Sequence, residues 1–205
     1  KCRQVSSFLQ SSGISTYYHQ ETLYNQTVIK NIISMLHIKA QTEKADHGFL
    51  RLLMREIPNH HLIDFTKKYS LDKTELSLIE YSLLANSGVN KVAQAIINSI
   101  NRAKGDGILD IVWSIIKSSQ FYKNTGETYS MKKKMIWQSL NQFRRVVYNY
   151  CLNYDADDLN KFIDFIDIQC EVNDEPLEPL SELAEIPAVR VMTVHSAKGM
   201  EFKHV

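Results

Sequence analysis

Cysteine is scarce in this chain, and what there is does not pair. Cys2, Cys151 and Cys170 are odd in number and widely spaced, and no Cys-x-x-Cys occurs. That pattern argues against a disulfide scaffold and a cysteine-based zinc site, and it suits a reducing cytoplasm. Long hydrophobic runs are missing as well. No stretch of about 18 apolar residues exists, so no membrane span is expected. No signal peptide is visible. Net charge is close to nil, +1 over 205 residues, so overall basicity does not advertise a nucleic-acid partner. Two catalytic signatures also fail to occur. No G-x-x-x-x-G-K-[ST] loop is present to cradle a triphosphate, and no Asp-Glu pair follows a strand to hold magnesium and water. The nearest acidic clusters are Asp155-Ala156-Asp157-Asp158, which reads as a helix start, and Asp174-Glu175, which lies in a connector. No catalytic residue and no metal ligand is therefore expected in this stretch.

What is there is enough apolar material for a real core. The chain is 44% apolar and 23% charged, the balance of a soluble globular protein of one large or two small domains. Charge is uneven along it. Ile100 to Tyr150 carries nine Lys or Arg against three Asp or Glu, and Asp155 to Glu185 carries eleven acidic residues and one Lys. Such patches can steer partners, but a solvated helix face is the commoner explanation. Lys1 falls inside a helix-like pattern and Val205 comes as a strand begins, so a piece of a longer protein is expected.

Hydrophobic periodicity divides the chain into helices flanked by short strands. Cys2, Val5, Phe8 and Leu9 lie at helical spacing, with Gly13 as the stop. Ile14 to Tyr18 reads as a strand. A helix from Thr27 to Ala40 has Asn25 as candidate cap and Val28, Ile29, Ile32, Ile33 and Leu36 as its buried stripe. Seven amphipathic helices follow between Asp46 and Gln169. Phe49, Leu52 and Leu53 mark the first. Leu62, Ile63 and Phe65 mark the next, after Pro58. Leu76, Ile79, Leu83 and Leu84 mark one ending near Gly88. Val92, Ala93, Ile96, Ile97 and Ile100 mark one ending at Gly105-Asp106-Gly107. Ile108 to Ile116 forms another, and a long helix spans Met131 to Asn153 with Met135, Leu140, Phe143, Val147 and Tyr150 inward. Leu159, Phe162, Ile163 and Ile166 mark the last. Each needs partners for its apolar face, so together they form a bundle. The acidic stretch Glu171 to Pro187 holds Pro176, Pro179 and Pro187 and reads as an exposed connector.

The chain then ends on VRVMTVHSAKGMEFKHV. Val189, Val191 and Val194 suggest a strand, and His195-Ser196-Ala197-Lys198-Gly199 a polar turn. Hydroxyl, imidazole, ammonium and glycine after a buried strand suit phosphates or a nucleic-acid backbone. TVHSAKGMEF resembles motif V of the UvrD-like helicases, superfamily 1 motors that translocate on single-stranded DNA with ATP. Met200 stands where the family usually has Leu, a mild exchange. The resemblance implies that Thr193, His195, Ser196 and Lys198 contact the DNA strand, that Gly199 lets the backbone approach closely, and that Glu201 accepts hydrogen bonds from the ribose of the nucleotide. It also implies a mainly α chain, a helical bundle inserted into a partial α/β (RecA-like) domain. Residues 1–42 and 187–205 would be the RecA-like pieces, and residues 43–186 the helical insertion known in the family as subdomain 2B. ATP and Mg2+ would serve the parent protein, with none bound to this part. Single-stranded and possibly duplex DNA, and protein partners reached through the insertion, are the implied partners, in the cytoplasm and away from membranes.

Several positions depart from the family pattern. Gly13-Ile14 and Tyr17 fit its "GIPY"-like turn without the proline, and Val28 replaces an acidic residue. Ile57-Pro58-Asn59-His60-His61-Leu62 has no glycine where relatives carry a glycine-rich turn for duplex phosphates. His60 and His61 are then either phosphate contacts or surface residues, with rings expected to point apart. Lys132, Lys133 and Lys134 with Arg144 and Arg145 form another candidate DNA surface, but consecutive lysines fan around a helix. Trp113 and Trp137 read as core or interface anchors. Two readings outside the free-helicase class remain open: a non-enzymatic helical protein-interaction module, and a translocase working within a nuclease complex.

Overall fold

In a computed structural model of the protein, the described residues are 2–14, 16–18, 22–72, 74–85, 88–118, 131–154, 157–172, 189–191, 194 and 198. They are mostly helical. Helix α1 (Cys2–Ser11) precedes strand β1 (Thr16–Tyr18) and a 3-10 turn, Leu23–Asn25. Then come α2 (Thr27–Lys39), α3 (Ala45–Glu56), α4 (Asn59–Leu71), α5 (Leu78–Leu84), α6 (Gly88–Arg102), α7 (Ile108–Ser118), α8 (Met131–Asn153) and α9 (Leu159–Val172). Strand β2 (Val189–Val191) closes the order.

Helix α2 is the axis of the helical block. Ten of its thirteen residues are buried, on every side of the helix. The expected stripe of Val28, Ile29, Ile32, Ile33 and Leu36 is there, but Asn31, Ser34, Met35, His37 and Ile38 are buried too. A helix buried all round has neighbours all round, and α2 contacts α3, α6, α7, α8 and α9. Its three buried polar residues fall at steps of three and each has a partner. Asn31 Oδ1 accepts from Arg51 Nε at 3.2 Å, and Ser34 Oγ donates to the Lys30 carbonyl at 2.9 Å. His37 is bonded through both ring nitrogens, as described below. Gly48 of α3 lets the two helices close: a Cβ there would stand 3.0 Å from the Ser34 carbonyl oxygen.

The other helices add layers to this axis. Leu140, Phe143, Val147 and Tyr150 of α8 are buried as their spacing predicts. Tyr150 meets Phe162 edge-on at 5.1 Å between ring centroids and stacks on Tyr154 at 5.0 Å, which fastens α9 to α8. Asp158 caps α9, with Oδ1 accepting from the backbone of Asn160 and Lys161 at 3.1 Å each. These bonds to backbone amides hold its carboxyl below the usual range. Helix α5 has a complete capping box between Ser77 and Glu80.

Several local expectations are corrected. Asn25 does not cap α2; it closes the 3-10 turn and donates from Nδ2 to Thr22 Oγ1 at 3.0 Å, and the capping position is Gln26. Gly88 opens α6 instead of ending the helix before it, which stops at Leu84 with Ala85 already extended. Ile63 is half exposed, because α4 buries only the Leu62 and Phe65 side. His60 and His61 do not point apart: both are exposed, with ring centroids 4.1 Å from each other. Val194 lies outside the strand and is 87% exposed, since β1 ends at Tyr18 and offers Val191 as the last register position.

Candidate functional site

The two ends of the helical block meet in a parallel strand pair. Thr16 lies opposite Val189, Tyr17 opposite Arg190 and Tyr18 opposite Val191. A parallel pair requires a crossover connection, and here that crossover contains the whole helical block. Helix α1 packs on both strands. Its buried Ser6 hydroxyl shares a hydrogen bond with Thr16 Oγ1 at 2.9 Å. Gly13, at φ +78°, turns the chain out of α1, and the Ile14 amide donates back to the Leu9 carbonyl at 3.0 Å. Val5 and Phe8, at helical spacing in the sequence, are 50% and 69% exposed, since among the described residues two strands lie under the helix.

The polar stretch singled out in the sequence follows strand β2 along the chain. Lys198 is described there, in a turn with its side chain exposed to solvent. Thr193, His195, Ser196, Gly199 and Glu201 lie outside the described residues. So do the side chains of Lys132 and Lys133 and most of the acidic connector. Of the second candidate DNA surface, Lys134, Arg144 and Arg145 are exposed on α8. Arg144 stands 5.7 Å from the ring centre of Trp113, and Lys117 Nζ 5.5 Å from the same ring. Trp113 and Trp137 are partly buried against the core. Trp113 is therefore a platform for two cations as well as a packing residue.

Two polar constellations escaped the sequence reading. One joins α2, the following turn and α9. His37 Nε2 lies 3.2 Å from Asp167 Oδ1, and Nδ1 lies 2.8 Å from Thr42 Oγ1. Lys44 Nζ takes the other carboxylate oxygen at 2.7 Å. Burial lowers the His37 pKa, against the upward pull of Asp167. A neutral imidazole fits these partners, donating to Asp167 and accepting from Thr42. The Asp167 hydrogen bond raises the pKa of Lys44. Cys170, one turn on, has a thiol pushed up to about 11 by burial, which leaves it protonated and unreactive at neutral pH. The network spans residues 37 to 167, and nothing in local spacing signals it.

The second constellation is a pocket of about 750 Å³ between α3, α6 and α7, with basic residues at its rim. Its cations come from three helices and fall at no common interval. Among the described residues no group of three His, Cys, Asp or Glu is arranged to hold a metal, and no helix is long and apolar enough to cross a membrane.

Comparison with known proteins agrees with the family that the sequence resembles. Two ATP-dependent helicase/nuclease subunits are similar to part of the chain. That of Streptococcus suis (strain 98HAH33) is 30% identical over 108 residues, covering 50% of this chain and 8% of that protein. That of Geobacillus thermodenitrificans (strain NG80-2) is 29% identical over 105 residues, covering 49% and 8%. The matched stretch is thus a small part of the length of either relative. The UvrD-like helicase C-terminal domain model matches residues 1–205. Because that match takes in the helical block, the strand pair and the terminal motif together, the chain belongs to the UvrD-like helicase C-terminal domain family.

Proposed function

We propose that this chain is part of an ATP-dependent DNA helicase or translocase that moves on single-stranded DNA in the cytoplasm, in repair, replication or recombination. The observation that carries the reading is the parallel pairing of β1 with β2. It supports two sequence-distant pieces of one sheet domain, RecA-like in this proposal, with the helical block inserted between them. The pieces are residues 1–42 and 187–205, with 43–186 as the insertion. The position of α2 at the centre of the helical block favours moving the first boundary back to the turn at Leu23.

In this reading β2 delivers the motif to the DNA path. Thr193 and Ser196 donate hydroxyls to phosphate oxygens, His195 donates to phosphate or lies against a base, and Lys198 supplies positive charge. Gly199 allows close backbone approach, and Glu201 accepts from the ribose of the nucleotide. ATP and Mg2+ supply the free energy that closes the parent's two RecA-like halves. With no triphosphate loop in its sequence, this chain contributes to nucleotide contact only through Gly199 and Glu201. The isolated chain therefore leaves ATP intact.

The helical block moves as a unit and meets duplex DNA or partner proteins. The names of the two similar proteins favour a motor that works with a nuclease over a free helicase. Substitution of His195 in the full-length parent tests the assignment. His195→Ala removes one charge-assisted contact and is expected to raise the DNA concentration for half-maximal ATPase stimulation about tenfold. Unchanged stimulation contradicts the role given to His195.

A further inference from the structure

We propose that the basic pocket between α3, α6 and α7 is a docking site for an acidic peptide segment carrying a single large apolar side chain. The pocket, about 750 Å³, is the right size for one such side chain and its flanking backbone. Met35 and Leu52 form the buried floor, and Val92 and Ile96 leave part of their surface open. A methionine in the floor adapts to the shape of an inserted side chain.

The rim is almost entirely of one sign. Arg55, Lys91, Arg102 and Lys117 stand around it with exposed side chains. Glu56 is the one carboxylate among the described lining residues, and it is already engaged by Arg55 Nε at 3.5 Å. Cations from three helices thus line one pocket together with apolar side chains. The wall also keeps a buried hydroxyl, Ser99 Oγ, with no hydrogen-bond partner among the described residues.

Charge complementarity selects an anionic partner, and the floor selects which kind. A duplex backbone reads a line of cations and presents no side chain to fill an apolar cavity. A single strand stacks its bases on aromatic rings, and none of the described lining residues is aromatic. An acidic peptide with one phenylalanine or leucine satisfies both halves. Its anchor takes the floor and its carboxylates meet the rim, as in interfaces with an apolar centre and a polar edge.

Fluorescence anisotropy with the purified full-length protein tests this, and the peptide titration itself contains no nucleotide or DNA, so its outcome is independent of the motor reading. The probe is a dye-labelled peptide with one phenylalanine flanked on both sides by aspartates. Saturable binding is expected, weakened about tenfold by Lys91→Glu with Arg102→Glu, and about threefold by Lys117→Glu alone. Lys68→Glu, outside this pocket, is expected to leave affinity unchanged. Circular dichroism melts check that each variant is folded, and the single Lys117 variant keeps the test decisive where the double one is not. Absence of binding overturns the proposal. Equal affinity for a peptide with serine in place of phenylalanine overturns it too, since charge alone would then suffice. Displacement by an equimolar unlabelled duplex assigns the surface to nucleic acid instead.

Discussion

His37 is buried as a neutral ring, and that fixes the sign of its effect on stability. Desolvation holds its folded pKa below the ordinary 6.5, with Lys44 lowering it further, and Asp167 and Asp164 acting in the opposite direction. The unfolded chain therefore takes up the proton first as pH falls. The contribution of His37 is complete above about pH 6.5 and drains away as pH drops through the folded value. Denaturant melts at pH 7.5, 6.5 and 5.5 should show this loss, and His37→Gln should flatten the profile. A profile equally steep in the variant would place the sensitive group elsewhere. Gly48 matters at the same scale. The backbone of Ser34 stands only 3.0 to 3.1 Å from where its Cβ would be. Gly48→Leu should destabilise by about 2 kcal/mol through overpacking, read as a shift in denaturation midpoint at constant slope. Neither residue announced itself in the sequence. His37 looked like a helix residue next to a stripe, and Gly48 sat where no turn was needed, because both depend on neighbours that only the fold supplies.

The elements themselves were more legible than their ends. Periodicity located every described helix, and the long one ran from Met131 to Asn153 as its apolar spacing indicated. That reading works because the burial stripe is a property of the segment alone. Caps are not always local. Asp46, on α3, accepts from the amides of Leu78 at 2.8 Å and Ile79 at 3.3 Å, so α5 is capped by a residue thirty-two positions upstream as well as by its own Ser77 and Glu80. A seven-residue helix cannot stand by itself in water, and this contact joins it to α3. Asp46→Ala should cost about 1 kcal/mol and loosen α5 selectively. Amide exchange in Leu78–Leu84 should quicken while that of α2 holds. Uniform quickening of both would mean that Asp46 supports the whole block and not this helix.

At the scale of the molecule, the two layers are held unequally. The helical block surrounds α2 with fully buried Ile29, Ile32 and Leu36. The strand pair consists of three residues against three, covered on one side by α1, and leaves Val5, Phe8 and Val189 about half exposed or more. Two-stranded sheets are marginal in water, and this one must also offset the entropy of closing a connection that runs from Tyr18 to Val189. Pattern alone suggested both strands, but it gave no measure of their strength, since that depends on how many strands lie beside them. Hydrogen exchange should therefore separate the layers in this 205-residue chain. Amides of Ile32–Leu36 should open only with global unfolding, and those of Thr16–Tyr18 and Val189–Val191 should exchange by local opening at far lower free energy. If the strand amides were protected as strongly as α2, the pair would be a self-sufficient unit. The proposal that it is the edge of a larger sheet, completed by other parts of the parent protein, would then lose its physical basis. Slow exchange appearing at those six positions only in the longer protein would support that proposal directly.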